Sequence, residues 1–400
     1  MRFFSLFFLS FIGMIALVAS FNRFIDPYAL NDGPVFKGIN TNKPEFSHQL
    51  RSSKAYAIRH LKPEAIILGS SRAEYGIDPA SKFWPYKNVY NLGLKATNIS
   101  EITSYLKHSN TISDLKLALV LIDFRDFNAS FYEDMGFNDS ILSFNDSPYF
   151  FTDWLNFSKI YLSLDSLLSS FKTILKQHVK SIYHSNGFID SADFENRIKK
   201  VGGYRNSFRL SESSYFNLKY KDYSFVSNTR NYIKDYEELV RYSAENNIDL
   251  RIVFSPVHVR QLETIRLMNL WPMYENWKSI VACINHSVSS EHGLNPYPIW
   301  DFSSYQGPST ESFPLDGLPM QYYWDSSHFK SLLGEKMLLQ IFNESPIFDF
   351  DTNFQGKKLT CANVSSHNEA LRAQQKKWIL NNPITLTELS NLFNIEAKGE

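Results

Sequence analysis

Residues 117–122 read LALVLI, six consecutive apolar side chains. A strand with water on one face alternates apolar and polar residues. An unbroken run is buried on both faces, as in a parallel sheet covered by helices. Three further runs read the same way. Ala65-Ile66-Ile67-Leu68 is ended by Gly69, residues 88–92 (NVYNL) by Gly93, and residues 250–254 (LRIVF) by Ser255-Pro256. Helical patterns lie between and after them, at about 97–108, 230–246, 259–268, 272–288 and 329–342. This alternation predicts an α/β fold built on a three-layer, doubly wound parallel sheet. With 44% hydrophobic and 20% charged residues, the 400-residue chain has material for a sizeable core and does not read as disordered.

The N-terminus obeys a different rule. Residues 3–21, FFSLFFLSFIGMIALVASF, carry no charge and are bracketed by Arg2 and Arg23. A bilayer core of about 30 Å needs about twenty apolar residues in a helix, and this run meets that length while exceeding a usual signal-peptide core. Val18-Ala19-Ser20 supplies small residues acceptable to a signal peptidase, so a retained anchor and a cleaved leader both stand. With only Met1 and Arg2 ahead of the run, translocation of the long C-terminal part is the simpler topology. The expectation is a domain held at a membrane by residues 1–24 and facing an extracytoplasmic, periplasm-like space. No second apolar run of that length follows.

The α/β domain is expected over 45–345, interrupted at about 126–228 by a stretch rich in Phe, Ser, Asn and Tyr. That stretch contains a helical pattern near 152–176 and reads as an insertion packed over the rim of the sheet. A polar tail, 346–400, carries one helix at 367–380 stopped near Pro383. Lys+Arg 41 against Asp+Glu 41 removes the basic footprint of a nucleic-acid binder. Two cysteines, Cys283 and Cys361, make neither a disulfide framework nor a Cys-rich zinc site. The histidines His108, His184 and His286 lack ligand spacing, so no metal or other cofactor is expected. An aromatic content of 16% suits carbohydrate-facing surfaces and large aromatic cores alike.

Two segments carry chemistry. Gly69-Ser70-Ser71-Arg72 follows the first strand, and ligands of open α/β sheets bind beyond the carboxyl ends of strands. Backbone N–H groups at such a turn favour negative charge, which suits a serine becoming an oxyanion; serine is equally a common helix cap. Asp325-Ser326-Ser327-His328 opens the last helical run. An Asp and a His three apart on a turn can pair through Nδ1–H, leaving Nε2 to take a hydroxyl proton. Capping competes here too, through Asp325 or Ser327.

In order and context, these blocks resemble the SGNH (GDSL-type) hydrolase superfamily, a flavodoxin-like fold. Its first block, Gly-x-Ser, matches Gly69-Ser70-Ser71, and its last, Asp-x-x-His, matches Asp325 and His328. The resemblance implies Ser71 as nucleophile, with Ser70 as an auxiliary turn residue. In the second block, Asn91-Leu92-Gly93-Leu94-Lys95-Ala96-Thr97, Ala96 aligns with the family's oxyanion glycine and Gly93 falls three residues early. The third block departs from the family: Ile122-Asp123-Phe124-Arg125-Asp126 has no oxyanion Asn, which leaves Arg125 or water for that place. The Gly-Ser-Ser-Arg form is similar to membrane-anchored bacterial branches related to polysaccharide O-acetyl-transfer proteins, and Gly76-Ile77-Asp78-Pro79 and Phe254-Ser255-Pro256-Val257-His258 resemble stretches of uncharacterised members. The matching regions are about 60–130 and 245–345.

The resemblance implies a serine esterase or O-acyltransferase using Ser71, His328 and Asp325 on an extracytoplasmic acyl-ester or glycan substrate. The oxyanion would be held by Ser71, Ala96, Gly93 or Arg125. Arg72 is expected to orient an anionic substrate or pair with Glu74, His258 to reach the same rim, and Asp301 to be the rival acid. The alternative is a non-catalytic subunit of an envelope-polysaccharide assembly on a degenerate hydrolase fold.

Overall fold

The computed structural model describes residues 2–31, 33–131, 136–137, 139–142, 158–314, 318–343 and 354–398. Among those residues the sheet has six strands: β1 (Ala65–Leu68), β2 (Val89–Asn91), β3 (Leu117–Ile122), β4 (Asp249–Phe254), β5 (Ile299–Asp301) and β6 (Lys357–Leu359). Their order is β2-β1-β3-β4-β5-β6, with the first five parallel and β6 antiparallel to β5. All four strands read from the sequence are present, and the residues of β1, β2 and β3 are buried at every position. The chain leaves β1 toward opposite sides of the sheet, to β2 and then to β3. The carboxyl end of β1 is therefore a topological switch point, where open α/β sheets form crevices.

The helices are α1 (Arg2–Ile25), α2 (Leu50–Leu61), α3 (Ser71–Gly76), α4 (Ile99–Ile112), α5 (Leu164–Leu175), α6 (Ser191–Lys200), α7 (Tyr204–Ser214), α8 (Tyr232–Glu245), α9 (Val259–Leu267), α10 (Trp271–Glu291), α11 (Ser331–Asn343), α12 (Val364–Asn381) and α13 (Pro383–Lys398). Phe3–Ile25 of α1 is long and apolar enough to cross a membrane, with mean hydropathy 2.3.

The chain divides into two compact units. One comprises 1–62, 107–114 and 136–185; the other comprises 63–106, 115–135 and 186–400 and holds the whole sheet. The expected insertion is thus split. The described residues of 136–185 belong with the N-terminal segment, where Ser170 and Ser169 of α5 bond to Asn22 at the end of α1 and to Tyr28. Of the helix expected near 152–176, residues 152–157 lie outside the described residues.

The tail also differs from expectation. It supplies β6 and two helices, and a disulfide joins Cys361 to Cys283 on α10. Pro383 opens α13, since the first turn of a helix tolerates a residue without an N–H.

Within the sheet unit, α3 and α11 approach closely. A Cβ on Gly334 of α11 would lie 1.8 Å from the Gly76 carbonyl oxygen, and one on Gly76 would meet the Phe329 ring at 2.1 Å. Glycine at both points lets the last block of the chain settle on the first.

Candidate active site

Ser70 caps α3: its Oγ accepts the Arg72 N–H at 3.3 Å. The capping reading therefore holds for Ser70, and it leaves Ser71 as the first helical residue with its side chain free for other work. Ser71 Oγ lies 2.8 Å from His328 Nε2. His328 Nδ1 faces both oxygens of Asp325 at 2.9 Å, and Asp325 Oδ1 also accepts the N–H groups of Ser327 (2.7 Å) and His328 (2.8 Å). These bonds leave Nδ1–H as the donor toward Asp325 and Nε2 as the acceptor toward the serine. Burial would raise the Asp325 carboxyl, but the His328 imidazole and the three N–H bonds outweigh it and hold the group below its usual range.

The loop carrying this pair is fixed by backbone. Tyr323 and Phe329 form an antiparallel bridge, Trp324 N–H donates to the His328 carbonyl at 2.9 Å, and Lys330 N–H donates to the Tyr322 carbonyl at 2.8 Å. Asp325 and Ser327 do not cap a helix starting at His328, since α11 begins at Ser331. The imidazole is framed by rings: Phe194 at 5.2 Å and Tyr75 at 6.0 Å between centroids, with Phe194 stacked on Trp324 at 5.5 Å. Asp193 and Arg197, also on α6, hold the Tyr75 hydroxyl and lie over the Tyr75 ring, respectively.

Behind the serine is a buried polar lattice that the sequence reading did not find. Arg72 Nη1 pairs with Asp123 Oδ1 at 2.5 Å, Nη2 donates to Tyr215 OH at 2.9 Å, and Nε donates to Ser327 Oγ at 3.2 Å. Ser70 Oγ donates to the other Asp123 oxygen at 2.5 Å. Arg72 is thus neither a surface charge facing substrate nor the partner of Glu74; it ties the ends of β1 and β3 to the His328 loop. Burial works against its charge, but Asp123 and its neighbours raise its pKa still further.

The four expected oxyanion donors divide sharply. Gly93 N–H is taken by Asn91 Oδ1 at 2.8 Å, and a Cβ at Gly93 would lie 2.5 Å from the Glu74 nitrogen. Its glycine serves close packing, with its N–H already spent. Arg125 is buried, with Nη2 bonded to the Thr97 carbonyl at 2.5 Å and to Asp126 at 3.2 Å, so that nitrogen bolts the second block to the third. Ala96 has a left-handed backbone (φ 55°), in a turn closed by Thr97 N–H to the Leu94 carbonyl. Among the described residues, the N–H groups of Ser71 and Ala96 have no partner within the chain.

His258 is also corrected. It caps α9 from a buried position, with Nδ1 accepting the Arg260 N–H at 3.3 Å and Nε2 on the Glu311 carbonyl at 2.8 Å. Burial pushes its pKa down to about 3, so it stays neutral and structural. Asp301, the rival acid, is bonded by Lys278 Nζ at 2.5 Å and His367 Nε2 at 2.8 Å. No group of three or more His, Cys, Asp or Glu poised for a metal occurs among the described residues. No protein-family model matches the chain, and no curated protein sequence matches it.

Proposed function

We propose that the protein is a serine-dependent acyl ester hydrolase or O-acyltransferase of SGNH type, acting on an extracytoplasmic, carbohydrate-linked ester. One observation carries the reading: the continuous hydrogen-bond line from Ser71 Oγ through His328 to Asp325. Support for the fold comes from the parallel strand order β2-β1-β3-β4-β5, which is the order of flavodoxin-like doubly wound sheets.

In the proposed cycle, His328 Nε2 takes the Ser71 proton as Oγ attacks the ester carbonyl, and Asp325 stabilises the imidazolium. The oxyanion is held by the N–H groups of Ser71 and Ala96; losing one such donor costs about 3–4 kcal/mol of barrier. Collapse expels the leaving alcohol, protonated by His328, and leaves an ester on Ser71. Water or a sugar hydroxyl, deprotonated by His328, then attacks that ester and regenerates Ser71. For location, α1 runs unbroken past Val18-Ala19-Ser20 and the Cys283–Cys361 disulfide suits an oxidising compartment, which together support a retained anchor and an extracytoplasmic domain.

The test is turnover of an aryl acetate by the full chain and by Ser71→Ala, with and without an oligosaccharide acceptor. Serine-dependent release supports the reading, and acetylated oligosaccharide identifies a transferase. A second reading is favoured by the third block, where Asp123 stands without an oxyanion Asn beside it: a non-catalytic binding subunit of an envelope-polysaccharide assembly. A folded protein with no serine-dependent turnover selects that one.

A further inference from the structure

Helix α5 is built inside out. Its buried face is Ser166, Ser169, Ser170 and Thr173, while Leu164, Leu168, Phe171 and Leu175 are 75%, 58%, 52% and 76% exposed. Their spacing of four, three and four residues makes one continuous stripe. Surface helices of water-soluble domains turn such a stripe inward and their hydroxyls outward.

The three inward serine hydroxyls have specific partners. Ser170 Oγ donates to Asn22 Oδ1 at 2.8 Å, Tyr28 OH donates to Ser169 Oγ at 3.0 Å, and Ser166 Oγ donates to the Ile160 carbonyl at 2.7 Å. Asn22, in the last turn of α1, returns a bond through Nδ2 to the Tyr161 carbonyl at 2.7 Å. The inversion is therefore held in place by the end of the membrane-length helix. Phe21 of α1 and Phe171 of the stripe are in ring contact at 5.2 Å, so the apolar surface of α1 continues onto α5. Phe24 and Phe36, both part-exposed and 5.4 Å apart, extend the same patch.

We infer that α5 is a second membrane contact: it lies in the plane of the bilayer interface with its leucine stripe among the lipid chains, where α1 enters the membrane. Twelve residues span about 18 Å, too short to cross a core of about 30 Å but suited to lie along its boundary. Lys172, exposed, borders the stripe and can extend toward anionic headgroups, while Lys176 Nζ pairs with the buried Glu45 carboxylate at 3.2 Å. The helix carries one acid, Asp165, at its N-terminal end.

This inference rests on α1 spanning the membrane and is independent of the proposed chemistry. The test places a nitroxide on Leu168→Cys or Leu175→Cys in the full chain, reconstituted in vesicles of equal parts phosphatidylcholine and phosphatidylglycerol. Both native cysteines are bonded to each other, so the introduced thiol is the labelling site. Accessibility to oxygen against a water-soluble nickel complex is expected to place both labels about 5–10 Å below the headgroup boundary. Greater access to nickel than to oxygen overturns the inference. So does spin–spin broadening between copies, which assigns the stripe to a dimer. A parallel label at Ile12→Cys separates the failures: lipid-exposed Ile12 with water-exposed Leu168 refutes the α5 contact alone, whereas both in water refutes the span as well.

Discussion

Among its described residues, the sheet unit contains two Asp–His pairs on buried carboxylates, one between residues three apart and the other between residues 66 apart. Asp325 meets His328 at 2.9 Å, and Asp301 meets His367 at 2.8 Å. At the first, the imidazole uses Nδ1 on the carboxylate and presents Nε2 to Ser71. At the second, His367 spends Nε2 on Asp301, and Lys278 Nζ bonds to the same oxygen. Burial would raise Asp301, yet Lys278 and His367 drive it far below the usual carboxylate range. The ammonium already pairs with that carboxylate, so the carboxylate is shared between two partners. The Asp325–His328 pair differs from the other by the hydroxyl on the far imidazole nitrogen and by a carboxylate to which no ammonium is bonded among the described residues, which is why the proposed chemistry is assigned to it.

The sharpest way to break this comparison is a matched pair of amide substitutions. Asp325→Asn is expected to lower ester turnover by about 10⁴-fold with the fold retained, by losing the orientation of His328. Asp301→Asn is expected to act on stability, because it leaves the Lys278 ammonium buried without its partner, at a cost of about 3–5 kcal/mol. Chemical denaturation and turnover of both variants decide it; equal loss of turnover in the two folded proteins would erase the distinction.

The disulfide sharpens the same contrast. Reducing Cys283–Cys361 opens a loop closed over a sequence separation of 78 and is expected to cost about 4 kcal/mol in denaturant midpoint terms. Turnover at low denaturant should stay unchanged, because neither cysteine is among the proposed triad or oxyanion groups.

Acid should weaken the fold in two stages. His258 at about 3 and His108 at about 4 stay neutral in the folded state, whereas unfolded histidine titrates near 6.5. The unfolded chain then binds more protons, so stability is full above about pH 6.5 and declines below it, by up to about 1.4 kcal/mol per pH unit for each histidine. Asp325 and Asp301 have depressed values, so their contributions are present above about pH 3.9 and are lost on further acidification. Equilibrium unfolding against pH should show the first decline shrinking in His258→Gln. The smallest effect is at Ala96: with φ at 55°, Ala96→Gly is expected to gain up to about 1 kcal/mol by relieving left-handed strain, with turnover kept.

The two ends of the proposed site were readable in the sequence because each sits in one contiguous block whose local geometry is set by a strand end or a tight turn. Ser71 and the Asp325–His328 pair follow from such blocks. The lattice behind them does not, because Arg72, Asp123, Tyr215 and Ser327 meet only through tertiary packing. Strand β5 was hidden in a three-residue run, Ile299–Asp301, and β6 in the polar run Lys357–Leu359, which is too short and too exposed to show a period. His258 misled in the opposite direction: a histidine after a strand reads as a rim group, while its N-cap bond and burial make it structural.

The most direct test is the mass of the protein after brief mixing with an activated acetyl ester and acid quench. The account predicts one added acetyl group, located by peptide mapping on Ser71 and absent in Ser71→Ala and in His328→Asn. An acetyl group on any other residue, or an unmodified Ser71 in folded protein that still turns the ester over, would contradict it.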